Sequence, residues 1–220
     1  VTLTPKLFAF LRELAKHNDR EWFAANRERY EEHVRAPLCG LVSELGPRLA
    51  RISRHIVADP RPVGGSLFRI HRDVRFAKDK SPYKTHAALH LRHDATSGDV
   101  HGPGFYVHLE PAKVFVAGGM WQPAPDALAD IREAIVAGPA RWKKAARGLE
   151  LGGAQLKRTP RGFPCEHPLD ADLRRTDFIV SVELDERRAC APRFADDIAA
   201  ACRRTAPLMA FLAGAVGLPW

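Results

Sequence analysis

The chain has 220 residues, 45% of them hydrophobic and 27% charged. That is the make-up of an ordinary folded chain, and it excludes a disordered tail protein and a fibrous one. Thirty-four Lys and Arg stand against 26 Asp and Glu, a formal net charge of +8 with His neutral, so acidic partners come into consideration.

A chain of this length buries roughly 70% of its surface on folding, so no disulfide or metal staple is required. Cys39, Cys165, Cys190 and Cys202 show no C-x-x-C spacing. This argues against a zinc ribbon or a dithiol redox motif and reads as reduced thiols of a cytoplasmic protein. Residues 7–14 are interrupted by Arg12 and Glu13, so no signal-peptide core is expected there. The most apolar stretch, 206–220, is 15 residues broken by Pro207, Gly214, Gly217 and Pro219, against about 20 for a bilayer span. No membrane partner is expected.

In chain order, Thr4 is placed to cap a helix with Pro5 at its first position and Leu7, Phe8, Leu11 and Leu14 on one face. Asn18 and Glu21 form a capping-box pattern opening a second helix, whose stripe is Trp22, Phe23, Tyr30 and Val34 with Asn26 as a polar interruption. Pro37 is expected to start a third, carrying Leu38, Leu41, Val42, Leu45 and Leu49, with Gly46-Pro47 breaking or kinking it. Beyond Asp59-Pro60-Arg61-Pro62 the period becomes alternating, and Phe68, Ile70, Val74 and Phe76 predict a strand. Further strands are predicted at 86–93, 105–110, 113–121 and 178–184, joined at 94–104 and 110–113 by hairpin connections. A helix is predicted over 125–137, stopped by Gly138-Pro139, then one through Trp142 and a long one from about Pro192 with Phe194, Ile198, Cys202, Met209 and Leu212 inward. Residues 148–175 are loop-rich, with Leu156, Phe163 and Leu169 as apolar anchors.

A helical part (1–58), a sheet core (66–121) and a helical and loop part (122–220) predict one α+β domain over 1–220, an antiparallel β-sheet flanked by N-terminal and C-terminal helices.

The positive charge is concentrated. Residues 66–93 hold seven Lys or Arg against two acids. Within them, Arg69, Arg72, Asp73, Arg75, Phe76, Lys80 and Tyr83 spell R-x-x-R-D-x-R-F-x-x-x-K-x-x-Y. This pattern resembles the bacterial family catalogued as domain of unknown function 2461. The resemblance extends over Phe10-Leu11, Asn18 and residues 20–23, then 82–85, 118–121 and 156–163, nearly the whole chain. It supports the single-domain reading and implies no activity, cofactor or substrate.

Arginine offers a planar fork of donors matching phosphate and carboxylate oxygens, and lysine a point charge. Arg69, Arg72, Arg75, Lys80, Tyr83 and Lys84 are therefore candidates for binding a small phosphorylated or carboxylated ligand, in a binding protein or an enzyme of phosphoryl or nucleotide chemistry. On one straight strand Arg69 and Arg75 would stand roughly 20 Å apart and could not grip one phosphate. A small-ligand site requires the chain to bend near Asp73 so that 78–84 folds back over the arginines. Two other readings stand beside this one. Asp73 and Asp79 could pair with the arginines in a network that only holds the loop. The same face, with Lys157, Arg158 and Arg161, could bind nucleic acid, although no strand shows the interleaved exposed aromatics of an RNA platform.

Other chemistry is weakly signalled, and the sequence specifies no cofactor. His86 and His90 share a strand face but stand about 13 Å apart, too far for one ion, though His108 on a neighbouring strand could approach; no metal site is assigned. No G-x-S-x-G or phosphate-binding loop occurs. Gly118-Gly119 suggests a bulge or a close backbone approach.

Overall fold

The computed structural model describes residues 2–96, 98–164 and 166–220; Cys165, read above as a reduced thiol, lies outside the described residues. The protein is α+β. A five-stranded antiparallel sheet is ordered β1-β2-β3-β4-β5, with β1 at Ile56–Val57, β2 at Ala87–His93, β3 at Gly104–Glu110, β4 at Lys113–Met120 and β5 at Phe178–Leu184. Helices α1 (Pro5–Lys16), α2 (Arg20–Ala25), α3 (Arg27–Tyr30) and α4 (Ala36–Ala50) precede it. Between β4 and β5 run α5 (Pro125–Ala137), α6 (Pro139–Ala145) and α7 (Asp170–Leu173); α8 (Glu186–Ala189) and α9 (Phe194–Ala215) follow.

Side chains alternate across a strand, and one face supplies the core. Leu89, Leu91, Phe105, Val107, Leu109, Val114 and Val116 are at most 2% exposed and pack with apolar residues of α1, α4 and α9. A second apolar cluster, built on Ile131, Trp142, Leu173, Phe178 and Leu212, lies under α5–α7. Gly118 allows α9 to approach, since a Cβ there would meet Thr205 Oγ1 at 2.7 Å. Arg132, buried in α5, donates to the carbonyls of Leu173 and Arg175 at 2.8 and 3.0 Å and so secures the end of α7.

Several expectations are corrected. Asn18 is not the cap of α2. Asp19 is, accepting from Trp22 N at 2.8 Å, while Asn18 turns to residue 83, as described below. The helix expected to start at Pro37 starts earlier: α3 runs through a π turn at Glu31–Arg35 into α4. Proline has no N–H to close a normal turn, and just before it the Ala36 N–H reaches back five residues to Glu31 O. Pro47 does not end α4. Arg48 Nη1 donates to Glu44 O at 2.8 Å beside it, and Leu45 and Leu49 stay fully buried. Core packing there outweighs a propensity cost of about 3 kcal/mol.

The strand predicted around 68–76 is absent. Residues 67 and 71 make only isolated bridges, Leu67 with Leu89 and His71 with Tyr83, and Phe76 is 96% exposed. The short β1 was not anticipated. Trp121 lies one residue beyond β4, and Leu156 is exposed rather than an anchor.

Candidate functional site

The other face of the sheet carries the side chains left over from the core. In one cross-strand row, His90 faces Tyr106, Tyr106 faces Ala117 and Ala117 faces Ser181. Above this row lies a groove of about 490 Å³, within the range of roughly 300–1,000 Å³ typical of small-molecule sites. Ala117 forms part of its floor, Phe68, Tyr106 and Phe115 supply aromatic walls, and Trp121 stands at the edge, about half exposed. The small residues matter. A Cβ at Gly104, beneath the wall, would lie 2.8 Å from His90 Nε2.

His90 is the unusual wall residue. It is 8% exposed and stacks on Phe68 with ring centroids 5.9 Å apart. Burial, with a smaller contribution from Arg92, pushes its pKa down to about 4, so the ring is neutral near pH 7. Its Nδ1 is buried without a hydrogen-bond partner. A neutral imidazole has one donor and one acceptor to offer, and leaving such a group unmatched costs free energy unless a ligand or water completes it.

The next row holds His108, whose ring stacks on Phe115 at 4.8 Å. His108 Nδ1 lies 3.1 Å from Tyr106 Oη, and Nε2 lies 3.1 Å from Glu110 Oε2. His86 closes the group, its ring 4.6 Å from that of His108. His90 is not part of this cluster. The separation of His86 from His90 follows from strand rise; the approach of His86 to His108 and Glu110 depends on the β2–β3 register, in which Ala87 faces Leu109.

The basic motif folds back on itself, as a compact site would require. Arg72 N donates to Pro82 O at 2.9 Å and Lys84 N to Ile70 O at 2.8 Å. The donors, however, are engaged within the loop. Arg72 pairs with Asp79, and Arg75 with Asp73 at 2.7 Å. Lys80 Nζ donates to Val74 O at 3.0 Å and Lys84 Nζ to Arg69 O at 2.9 Å. Hydrogen bonding from Ser81, then from Arg72, holds the Asp79 carboxyl far below the usual carboxylate range, and Arg75 holds Asp73 down to about 2. The three arginines share no common partner among the described residues, and the Arg69 side chain is exposed with no hydrogen bond or ion pair.

Tyr83 belongs to the core. It is 5% exposed and stacks on Phe23 at 4.1 Å. Asn18 clamps its backbone from both sides, accepting from Tyr83 N and donating to Tyr83 O, each at 3.0 Å.

Lys157, Arg158 and Arg161 are exposed and do not line the groove. Burial pushes the thiols of Cys39 and Cys190 up and that of Cys202 up to about 12, so none of these three is an activated nucleophile.

Fold and site together define an α+β protein whose meander sheet is packed by helices on one face and bears an aromatic groove on the other. The chain belongs to the family described as conserved hypothetical protein (DUF2461), whose model matches residues 6–211. No curated protein and no solved structure matches it.

Proposed function

We propose that this chain binds a small molecule in the sheet-face groove, one with a flat, largely apolar body and a phosphate or carboxylate group that meets Lys84 and Arg69 at the rim. The observation that carries the reading is the groove itself, aromatic-walled and holding the unpartnered His90. The anionic end is supported by Phe68, which lines the groove while Lys84 Nζ lies 5.2 Å from its ring centroid. Arg69 is the next residue in the chain. On this reading Arg72, Arg75 and Lys80 act through Asp79, Asp73 and backbone carbonyls to hold the loop, and Tyr83 anchors it to the helices.

A nucleic-acid partner on the basic face of the motif is the second reading. Phe76, 96% exposed with its ring 5.9 Å from the Arg75 guanidinium, favours it.

Thermal melts against nucleotides and aromatic carboxylates, with a single-stranded oligonucleotide at low and high salt, separate the two. The groove reading expects a saturable rise in Tm with a small anionic aromatic compound. Ala117→Phe, which fills the floor from the open side, should abolish that rise and leave the ligand-free Tm close to wild type. A rise that survives Ala117→Phe, or no rise with any small compound, overturns it. A response to the oligonucleotide alone, lost steeply as salt increases, would transfer the case to nucleic acid.

A further inference from the structure

Beside the groove, three donors from two neighbouring segments converge. One ligand atom from each of His86, His108 and Glu110 lies within 4.8 Å of the others. His108 and Glu110 stand two apart on β3 and so share a face, and His86 immediately precedes β2 on the facing strand. We propose that His86, His108 and Glu110 form a binding site for a divalent transition-metal ion of the zinc class. The proposal uses no part of the ligand reading above.

The donor set selects the ion. Two imidazoles and one carboxylate suit zinc and its neighbours in the first transition row, whereas calcium and magnesium require all-oxygen shells. Zinc–nitrogen and zinc–oxygen bonds of about 2.0–2.1 Å in a tetrahedron place neighbouring ligand atoms about 3.3 Å apart. The pair His108 Nε2–Glu110 Oε2, at 3.1 Å, already has that spacing. The wider separations, up to 4.8 Å, are those to His86, which is partly exposed immediately before the strand.

The surroundings fit as well. Tyr106 Oη, 3.1 Å from His108 Nδ1, can accept a hydrogen bond from Nδ1–H, the tautomer that leaves the Nε2 lone pair for the metal, as a ligating histidine commonly donates its other N–H to an oxygen. His108 is 7% exposed, while His86 and Glu110 are reachable from solvent, so the site is both walled and open. Lys84 and Lys113 act electrostatically on His86 and oppose a dication; the Glu110 carboxylate acts in the opposite sense. A fourth position is left for water or an anionic oxygen.

A second cluster of the same size, His55, His93 and Asp94, provides the contrast. There the backbone fixes both nitrogens of His93: Nε2–H donates to Pro219 O at 2.7 Å and Nδ1 accepts from Ala95 N–H at 3.2 Å, whereas the partners of His108 are a hydroxyl that can turn and the carboxylate of Glu110 itself. The backbone arrangement ties the C-terminal residues to β2 and leaves His93 no lone pair for a metal.

The test is a calorimetric titration of chelator-treated protein with zinc chloride, repeated with cobalt(II) to read the ligand field from the visible spectrum. The expected result is one ion per chain, with a tetrahedral-type cobalt spectrum. His86→Ala and Glu110→Gln should each weaken zinc binding by about tenfold or more, and His55→Ala should leave it unchanged; circular dichroism confirms that all three variants are folded. No saturable binding to the wild type, undiminished binding to the folded Glu110→Gln variant, or a loss confined to His55→Ala would overturn the proposal.

Discussion

Gly119 shows how much a single position decides. Its φ is +144°, and a Cβ there would lie 1.9 Å from Phe178 O on the paired strand. The close backbone approach suggested by Gly118-Gly119 is therefore real, and strand pairing is its cause. Gly119→Ala is expected to cost about 3 kcal/mol or more, measured by urea unfolding, because backbone strain and a clash with backbone add together. His90 makes a different kind of residue-scale prediction. Its pKa is about 4 in the folded protein against about 6.5 for an ordinary histidine. Between those values the unfolded chain binds a proton that the folded one refuses, so the stability associated with His90 is complete above about pH 6.5 and is lost as the pH falls toward 4. Melts across that range should decline more steeply for wild type than for His90→Phe. Asn18 marks a limit of local reading. Its spacing to Glu21 looks like a cap, yet its two hydrogen bonds go to a residue 65 positions away.

At the scale of elements, the segment 69–84 departs furthest from its pattern. Alternation at Phe68, Ile70, Val74 and Phe76 reads as a strand, but a strand needs a neighbour along its length. Phe68 N bonds Ala88 O, and beyond that point the segment leaves β2 and pairs briefly with itself. Ile70 and Tyr83 anchor its two ends in the core, and between them the loop is held by contacts of its own, among them Arg72–Asp79, with the Asp79 side chain 61% exposed. Exposed ion pairs of this kind contribute about 0–1 kcal/mol to global stability. Asp79→Asn is accordingly expected to leave the unfolding midpoint nearly unchanged while speeding amide exchange and proteolytic cleavage within 69–84. A large global loss would place this pair among the core interactions instead. Helices containing proline make the same point in the opposite direction. Both α4 and α9 continue through one, at Pro47 and Pro207, because burial of the surrounding turns outweighs the missing hydrogen bond.

For the whole molecule, the two apolar clusters meet along α9. Ile198, Cys202 and Met209 belong to one, and Leu208, Phe211 and Leu212 to the other. Since one helix is shared by both, we propose that residues 1–220 fold as one cooperative domain. Unfolding should then give coincident transitions by tryptophan fluorescence and far-UV circular dichroism; two resolved steps would divide the chain. Among the described residues no helix is long and apolar enough to cross a membrane. Among the described residues, two of the seven cations of 66–93, Arg72 and Arg75, pair with acids of their own loop, so the segment keeps most of its positive charge and contributes to the long-range field of a chain with net charge +8.

The elements read correctly are those whose causes are local. β2, β3, β4 and β5 follow from side-chain alternation and turn residues, and α5 from its stripe between Pro125 and Gly138. The α+β class follows from their order, and the family resemblance from a motif contiguous in the chain. The groove, the clamp of Asn18 on Tyr83 and the convergence of His86, His108 and Glu110 were decided only by tertiary structure. Each joins residues through strand register or the path of a loop, and neither of these is written in the spacing of any one segment. The same holds for the arginines of the motif. Their chemistry is legible as a capacity to bind anions, but whether Asp73, Asp79 or a ligand takes up that capacity depends on which acceptors folding brings within hydrogen-bond reach.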